Sequence, residues 1–217
     1  DMADLLSVTG LVKKARDMFP NRKFDQLIQN AGILPTKHSL SPQGHEIAFA
    51  ANVLGPHLLL RKMIDEEVLK EDGKVIFTAG DLYITLKGTG NVACTPDFTY
   101  LDRKGGEIAY CRSKLGVIWL FLQLRERFPS LHANLVHPGV VDSELVEGGS
   151  PAPKPLLISN EEGAQTTLIL ATECTENGAF YHNTMGKVIF SAKDPANNPQ
   201  KGLELWQLVE KLIIGYL

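Results

Sequence analysis

An alternation of periods constrains this chain more than any other feature. Stretches whose apolar residues recur about every 3.6 positions trade places with short β-branched runs, the pattern of βα units in a parallel sheet. Helices are expected over about 4–19, 43–70, 107–128, 161–173 and 201–213, and strands over Phe24–Ile28, Lys74–Thr78, Leu131–Val136 and Gly186–Phe190. Turn chemistry marks the joints: Pro20-Asn21 and Asp72-Gly73 precede strands, and Phe128-Pro129 ends a helix. The expected architecture is α/β, a single domain over 1–217 built on a doubly wound parallel sheet. Two long loops, 79–106 and 137–160, leave the C-terminal ends of strands, the edge of an open α/β sheet where ligands bind.

Composition narrows the partners. Lys+Arg number 22 against 25 Asp+Glu, a net charge of −3 without a basic block, so there is no electrostatic footprint for nucleic acid or an anionic membrane. A small-molecule partner is expected. No apolar run approaches the ~20 residues needed to span a bilayer, and Asp1-Met2-Ala3-Asp4 is not a signal peptide, so the default expectation is cytoplasmic. Cys94, Cys111 and Cys174 are widely spaced and fit neither a disulfide framework nor a zinc site; no metal is expected.

The candidate chemistry lies in Ala109-Tyr110-Cys111-Arg112-Ser113-Lys114. Tyr110 and Lys114 are four apart on an expected helix and share one face. A free phenol has a pKa of about 10, so general acid work near neutrality needs about 3–4 kcal/mol of preferential phenolate stabilisation. A nearby ammonium is a source of it. Taken alone, Tyr-x-x-x-Lys is common by chance, and a plain helix face is the competing reading.

Order supplies the context. Gln29-Asn30-Ala31-Gly32 follows the strand Phe24–Ile28, Ala50-Ala51-Asn52-Val53-Leu54-Gly55-Pro56 lies within the long helix, and His137-Pro138-Gly139-Val140-Val141-Asp142-Ser143 follows the strand Leu131–Val136. With Tyr110 and Lys114 these resemble, in sequence order, the short-chain dehydrogenase/reductase family, in the style of its retinol-dehydrogenase-like branch. The resemblance implies a Rossmann-like fold and hydride transfer between NADP, or NAD, and a lipophilic carbonyl or alcohol. It implies Tyr110 as acid/base, Lys114 as its partner and ribose anchor, and Asn52 holding a relay water through its carbonyl. It places Asn30, Ala31 and Gly32 beside the adenosine part of the cofactor. Pro138, Gly139, Val141 and Ser143 line the nicotinamide end, with Ser143 in the family's Thr place.

The sequence also departs from that pattern. No Gly-rich strand-to-helix turn opens the chain, and Gly88-Thr89-Gly90-Asn91-Val92-Ala93 falls inside a loop, so the expected sheet is N-terminally truncated. Such a sheet exposes an edge that calls for a partner, a second copy of the chain among them. Gly80 stands where the family's catalytic serine is expected, with Thr78 the first candidate for the missing hydroxyl and Tyr83 and Thr85 behind it. Asp81 is a poor substitute because a carboxylate opposes developing negative charge. Beside the enzyme stand two other readings: a non-catalytic module acting by dimerisation or binding, and a pseudoenzyme. His57 and His137 are expected to pack, Asp65-Glu66-Glu67 and Glu161-Glu162 to face solvent, and Trp119, Phe121 and Leu122 to fill a core or a helix-pair dimer interface.

Overall fold

The computed structural model describes residues 1–84, 106–145 and 153–217. Among them five strands hydrogen-bond in chain order: β1 (Phe24–Gln29), β2 (Leu69–Thr78), β3 (His132–His137), β4 (Phe180–His182) and β5 (Gly186–Val188). The pairs β1·β2, β2·β3 and β3·β4 are parallel, whereas β4·β5 is antiparallel. The last expected strand is therefore the return arm of a hairpin. The parallel strand before it, three residues long, is too short to show a period of two.

Helices α1 (Leu5–Met18), α2 (Ile47–Phe49), α3 (Gly55–Asp65), α4 (Glu107–Arg127), α5 (Asn160–Thr172) and α6 (Pro199–Ile213) complete the order. The side-chain alternation of the strands explains their placement. Val75, Phe77, Ala133 and Leu135 join the main core with α1, α3, α4 and α6, while Ile76 and Val136 meet Leu170 and Ala171 of α5 on the opposite face. Among the described residues β1 is an edge strand, with Ile28 41% exposed.

Two local expectations need correction. The long helix expected over 43–70 ends at Asp65: Glu67 adopts φ 55, and the chain re-enters the sheet at Leu69. Asp72-Gly73 sits inside β2, where the register jumps between Phe24↔Leu69 and Gln26↔Lys74, instead of preceding the strand. Trp119 and Phe121, each 1% exposed, are consumed by the core of this one chain, where α4 packs on α6 and the Trp119 indole N–H donates to the Pro195 carbonyl. His57 packs as expected, edge-on to Trp206 and 2.6 Å from Glu210.

Candidate functional site

The C-terminal ends of β1, β2 and β3 bring the separate segments to one edge. The ammonium of Lys114 lies 5.6 Å from the centroid of the Tyr110 ring, so the four-residue spacing does put both groups on one face of α4. It donates to the Thr78 carbonyl at 3.0 Å, tying α4 to the end of β2. Gly32 comes to the same spot from β1: a Cβ added there falls 3.2 Å from Asn52 Oδ1 and 3.5 Å from Lys114 Nζ. Asn30 and Ala31, just before it, are exposed.

Asn52 lies in a π-helical turn, Ala50–Leu54, between α2 and α3. Its side chain clamps the strand exit, accepting from the Ile33 N–H at 2.8 Å and donating to the Ile33 carbonyl at 2.9 Å. It also donates to Ser113 Oγ at 2.9 Å, and Ser113 in turn donates to the Tyr110 carbonyl at 2.6 Å. Ser113, fully buried, is thus the link between Asn52 and the tyrosine turn. The sequence alone assigns Ser113 no role; its place one residue before Lys114 is the signal that could have found it. Pro56 follows four residues after Asn52 and has no N–H, so the α-helical bond onto the Asn52 carbonyl cannot form.

The loop after β3 completes the edge. Gly139 has φ +88, and its N–H donates to His137 Nδ1 at 2.9 Å. Val141 forms a parallel bridge with Ile158, and the Leu145 carbonyl accepts from Leu34 N–H at 3.2 Å, so this loop touches the segment that follows β1. Ser143 spends its hydroxyl locally as an acceptor for Leu145 N–H at 3.4 Å. Pro138, Gly139, Val141 and Ser143 all remain on this rim.

Three expectations about the chemistry change. Burial, followed by the charges of Cys111 and Asp81, pushes the Tyr110 phenol above its ordinary range, the reverse of the expected lowering. Burial also brings Lys114 down from 10.5 to about 8. Thr78 contributes its carbonyl and not its hydroxyl: alternation puts its side chain on the Ile76 face, toward α5 and away from α4, where Oγ1 is buried without a hydrogen-bond partner. Gly80, at the position expected of the family's serine, meets Lys114, a Cβ there lying 3.4 Å from Lys114 Cγ. Tyr83 donates its hydroxyl to Asp194 at 3.2 Å and is committed elsewhere. Thr85, Cys94 and the stretch Gly88–Ala93 lie outside the described residues.

Sequence reasoning missed one cluster on this edge. Asp81 Oδ1 is 2.9 Å from His137 Nε2, and Asp81 Oδ2 is 4.0 Å from His182 Nε2, the two imidazoles being tilted by 41° at a centroid separation of 4.4 Å. The hydrogen bond from His137 holds the Asp81 carboxyl below its usual range. His182 belongs to β4, the strand the sequence did not reveal.

A mostly parallel sheet with helices on both faces, carrying its polar groups at the C-terminal strand ends, is a doubly wound α/β fold of Rossmann type. Solved structures agree: a protein from Mycobacterium paratuberculosis superposes with a TM-score of 0.69 at 22% identity, covering 98% of this chain and 73% of that one. NADPH-bound carbonyl reductase from chicken fatty liver gives a TM-score of 0.62 at 16% identity, over 88% and 75% of the two chains. Curated sequences then place the chain in the short-chain dehydrogenase/reductase family, on its retinol-dehydrogenase-like side. Human retinol dehydrogenase 13 is 30% identical over 151 residues, 67% of this chain and 43% of that protein. The short-chain dehydrogenase chyC of Penicillium rubens is 31% identical over 174 residues, 78% of this chain and 61% of that protein. The chain thus spans about half the length of the curated relatives it matches. No family model matches it. No helix among the described residues is long and apolar enough to cross a membrane.

Proposed function

We propose that this chain carries the Tyr–Lys centre of an NAD(P)(H)-dependent oxidoreductase acting on a lipophilic carbonyl or alcohol. One observation carries the reading: Tyr110, Lys114, Asn52 and Gly32, from three separate segments, meet at the C-terminal edge of the sheet. In this reading Tyr110 exchanges a proton with the substrate oxygen. Lys114 supplies positive charge beside the phenol. Asn52 positions α4 through Ser113 and, through the carbonyl that Pro56 leaves without an α-helical donor, offers a seat for a relay water.

The residues present suit the ribose and nicotinamide end of the cofactor, which supplies the hydride when bound. Lys114 is buried and gives one hydrogen bond to Thr78, while an ammonium has three donors. Gly32 leaves open the space beside it that a Cβ would fill. The start of α5 offers no seat for the pyrophosphate. The N-terminus of α5 is closed by the Ser159–Glu162 capping box and carries Glu161 and Glu162, which repel a phosphate.

The test is NAD(P)H-dependent reduction of long-chain aldehydes by the chain and its Tyr110→Phe variant, followed at 340 nm, with nicotinamide binding followed by fluorescence. The expected result is turnover that falls by about 10²-fold or more in the variant with binding unchanged, the scale of a positioned general acid. A variant with full turnover removes Tyr110 from this role. The non-catalytic reading keeps one specific observation on its side, glycine at position 80 beside a phenol held protonated by burial.

A further inference from the structure

We propose that Asp81, held between His137 and His182, is a recognition point for a protonated nitrogen on the substrate. The inference rests on the reading of this sheet edge as the substrate site, and it narrows the substrate class from carbonyls and alcohols to those that also bear a cationic amine.

The three side chains are close enough to suggest a metal ion, their ligand atoms all lying within 4.8 Å of one another. Their outer contacts argue otherwise. A histidine that ligates through one ring nitrogen donates the other N–H to an acceptor. Here His137 Nδ1 accepts from the Gly139 N–H at 2.9 Å, and His182 Nδ1 accepts from the Thr184 N–H at 3.2 Å. A backbone donor cannot turn into an acceptor, so His137 keeps its proton on Nε2 and donates it to Asp81, while His182 Nε2 stands 4.0 Å from the other carboxylate oxygen, beyond hydrogen-bond reach. The array is a carboxylate held by one imidazole N–H with a second imidazole alongside, and not an empty ligand set.

Such a carboxylate is fixed in place and remains an anion. Its side chain is nevertheless 43% exposed, against 9% for His137 and 10% for His182, so lone pairs remain for a ligand. It sits one residue after Gly80, whose Cβ direction meets the Lys114 stem, and its charge adds to the burial that raises the Tyr110 phenol. The Lys114 ammonium, also on this edge, is buried and turned to the Thr78 carbonyl. A ligand group that gathers negative charge is disfavoured beside Asp81. One that arrives positive gains a charge-assisted hydrogen bond, roughly twice as strong as a neutral one.

The experiment compares benzylammonium with benzyl alcohol, equal in shape and different in charge, by NMR titration of the full chain at pH 7. Wild type is expected to bind the ammonium at least tenfold more tightly, with Asp81→Asn reducing the ratio to within twofold and His182→Gln lowering it about threefold. Equal binding of the two probes by wild type, absence of ammonium binding, or an undiminished ratio in Asp81→Asn overturns the proposal. Tyr110→Phe separates this inference from the reaction proposed above, because it removes the proton donor and is expected to keep the tenfold ratio. Wild type that reduces aldehydes but lacks the ratio faults only the Asp81 assignment; wild type that keeps the ratio without turnover faults the reaction.

Discussion

Gly80 and Lys114 show how single side chains set the competence of this edge. A Cβ on Gly80 makes an ordinary contact with Lys114 Cγ at 3.4 Å, so a serine fits there without displacing backbone. Gly80→Ser is expected to raise aldehyde turnover by about 10²-fold, the usual worth of one oxyanion donor, measured as kcat in the same 340 nm assay. Lys114 tests the electrostatics. Its folded pKa of about 8 lies below 10.5, so between those values the unfolded chain binds more protons and stability rises with pH. Below pH 8 the buried ammonium costs on the order of 3 kcal/mol. Lys114→Met removes that cost but strands the Thr78 carbonyl, a loss of about 1 kcal/mol. The variant is therefore expected to be about 2 kcal/mol more stable at pH 7, with the difference from wild type vanishing toward pH 10; urea midpoints at the two pH values check this. The Tyr-x-x-x-Lys spacing was legible because helix geometry alone makes four-apart residues neighbours. The Asp81–His137–His182 cluster was not, because its members lie 56 and 45 residues apart along the chain and only strand pairing unites them.

At the scale of elements, the segment from Ala50 to Pro56 is the most informative. The sequence reads as uninterrupted helix there, yet the structure has a π-helical turn around Asn52, with the Gly55 N–H reaching back five residues to the Ala50 carbonyl. Gly55 is required by contact: a Cβ there falls 1.8 Å from the Met2 carbonyl, so the N-terminal segment presses directly on this helix. Restoring a donor with Pro56→Ala lets an α-helical bond form onto the Asn52 carbonyl. Stability is expected to hold or rise by up to about 1 kcal/mol, since proline inside a helix costs more than alanine, while turnover falls if the carbonyl seats the relay water. Thermal melting and kcat together report both. The boundaries that were misjudged have physical causes as well. Val68 and Leu69 continue the apolar spacing of α3, and only the positive φ of Glu67 shows that the helix has ended. β4 has three residues, fewer than a period of two needs to declare itself.

For the whole molecule, the balance of cofactor contacts is the quantity to measure. In the reading proposed above, Lys114 faces the ribose and nicotinamide of a dinucleotide, whereas the start of α5 carries two carboxylates that repel a phosphate. The affinity of this chain for NADPH is thus expected to exceed that for reduced nicotinamide mononucleotide by less than about tenfold, the equivalent of ~1.4 kcal/mol. Fluorescence titration of both compounds decides this, and a thousandfold advantage for NADPH sinks it. The order of motifs along the chain, its α/β alternation and the face shared by Tyr110 and Lys114 were determined by the sequence alone, since each depends on local periodicity or on residue type at a fixed offset. The tertiary structure decided everything that depends on distance across the sheet. It set the burial that raises the Tyr110 phenol and lowers Lys114, the alternation that turns the Thr78 hydroxyl away from α4, and the pairing of β3 with β4 that delivers His182 to Asp81. Burial and strand register belong to no single segment, and a linear reading cannot supply them.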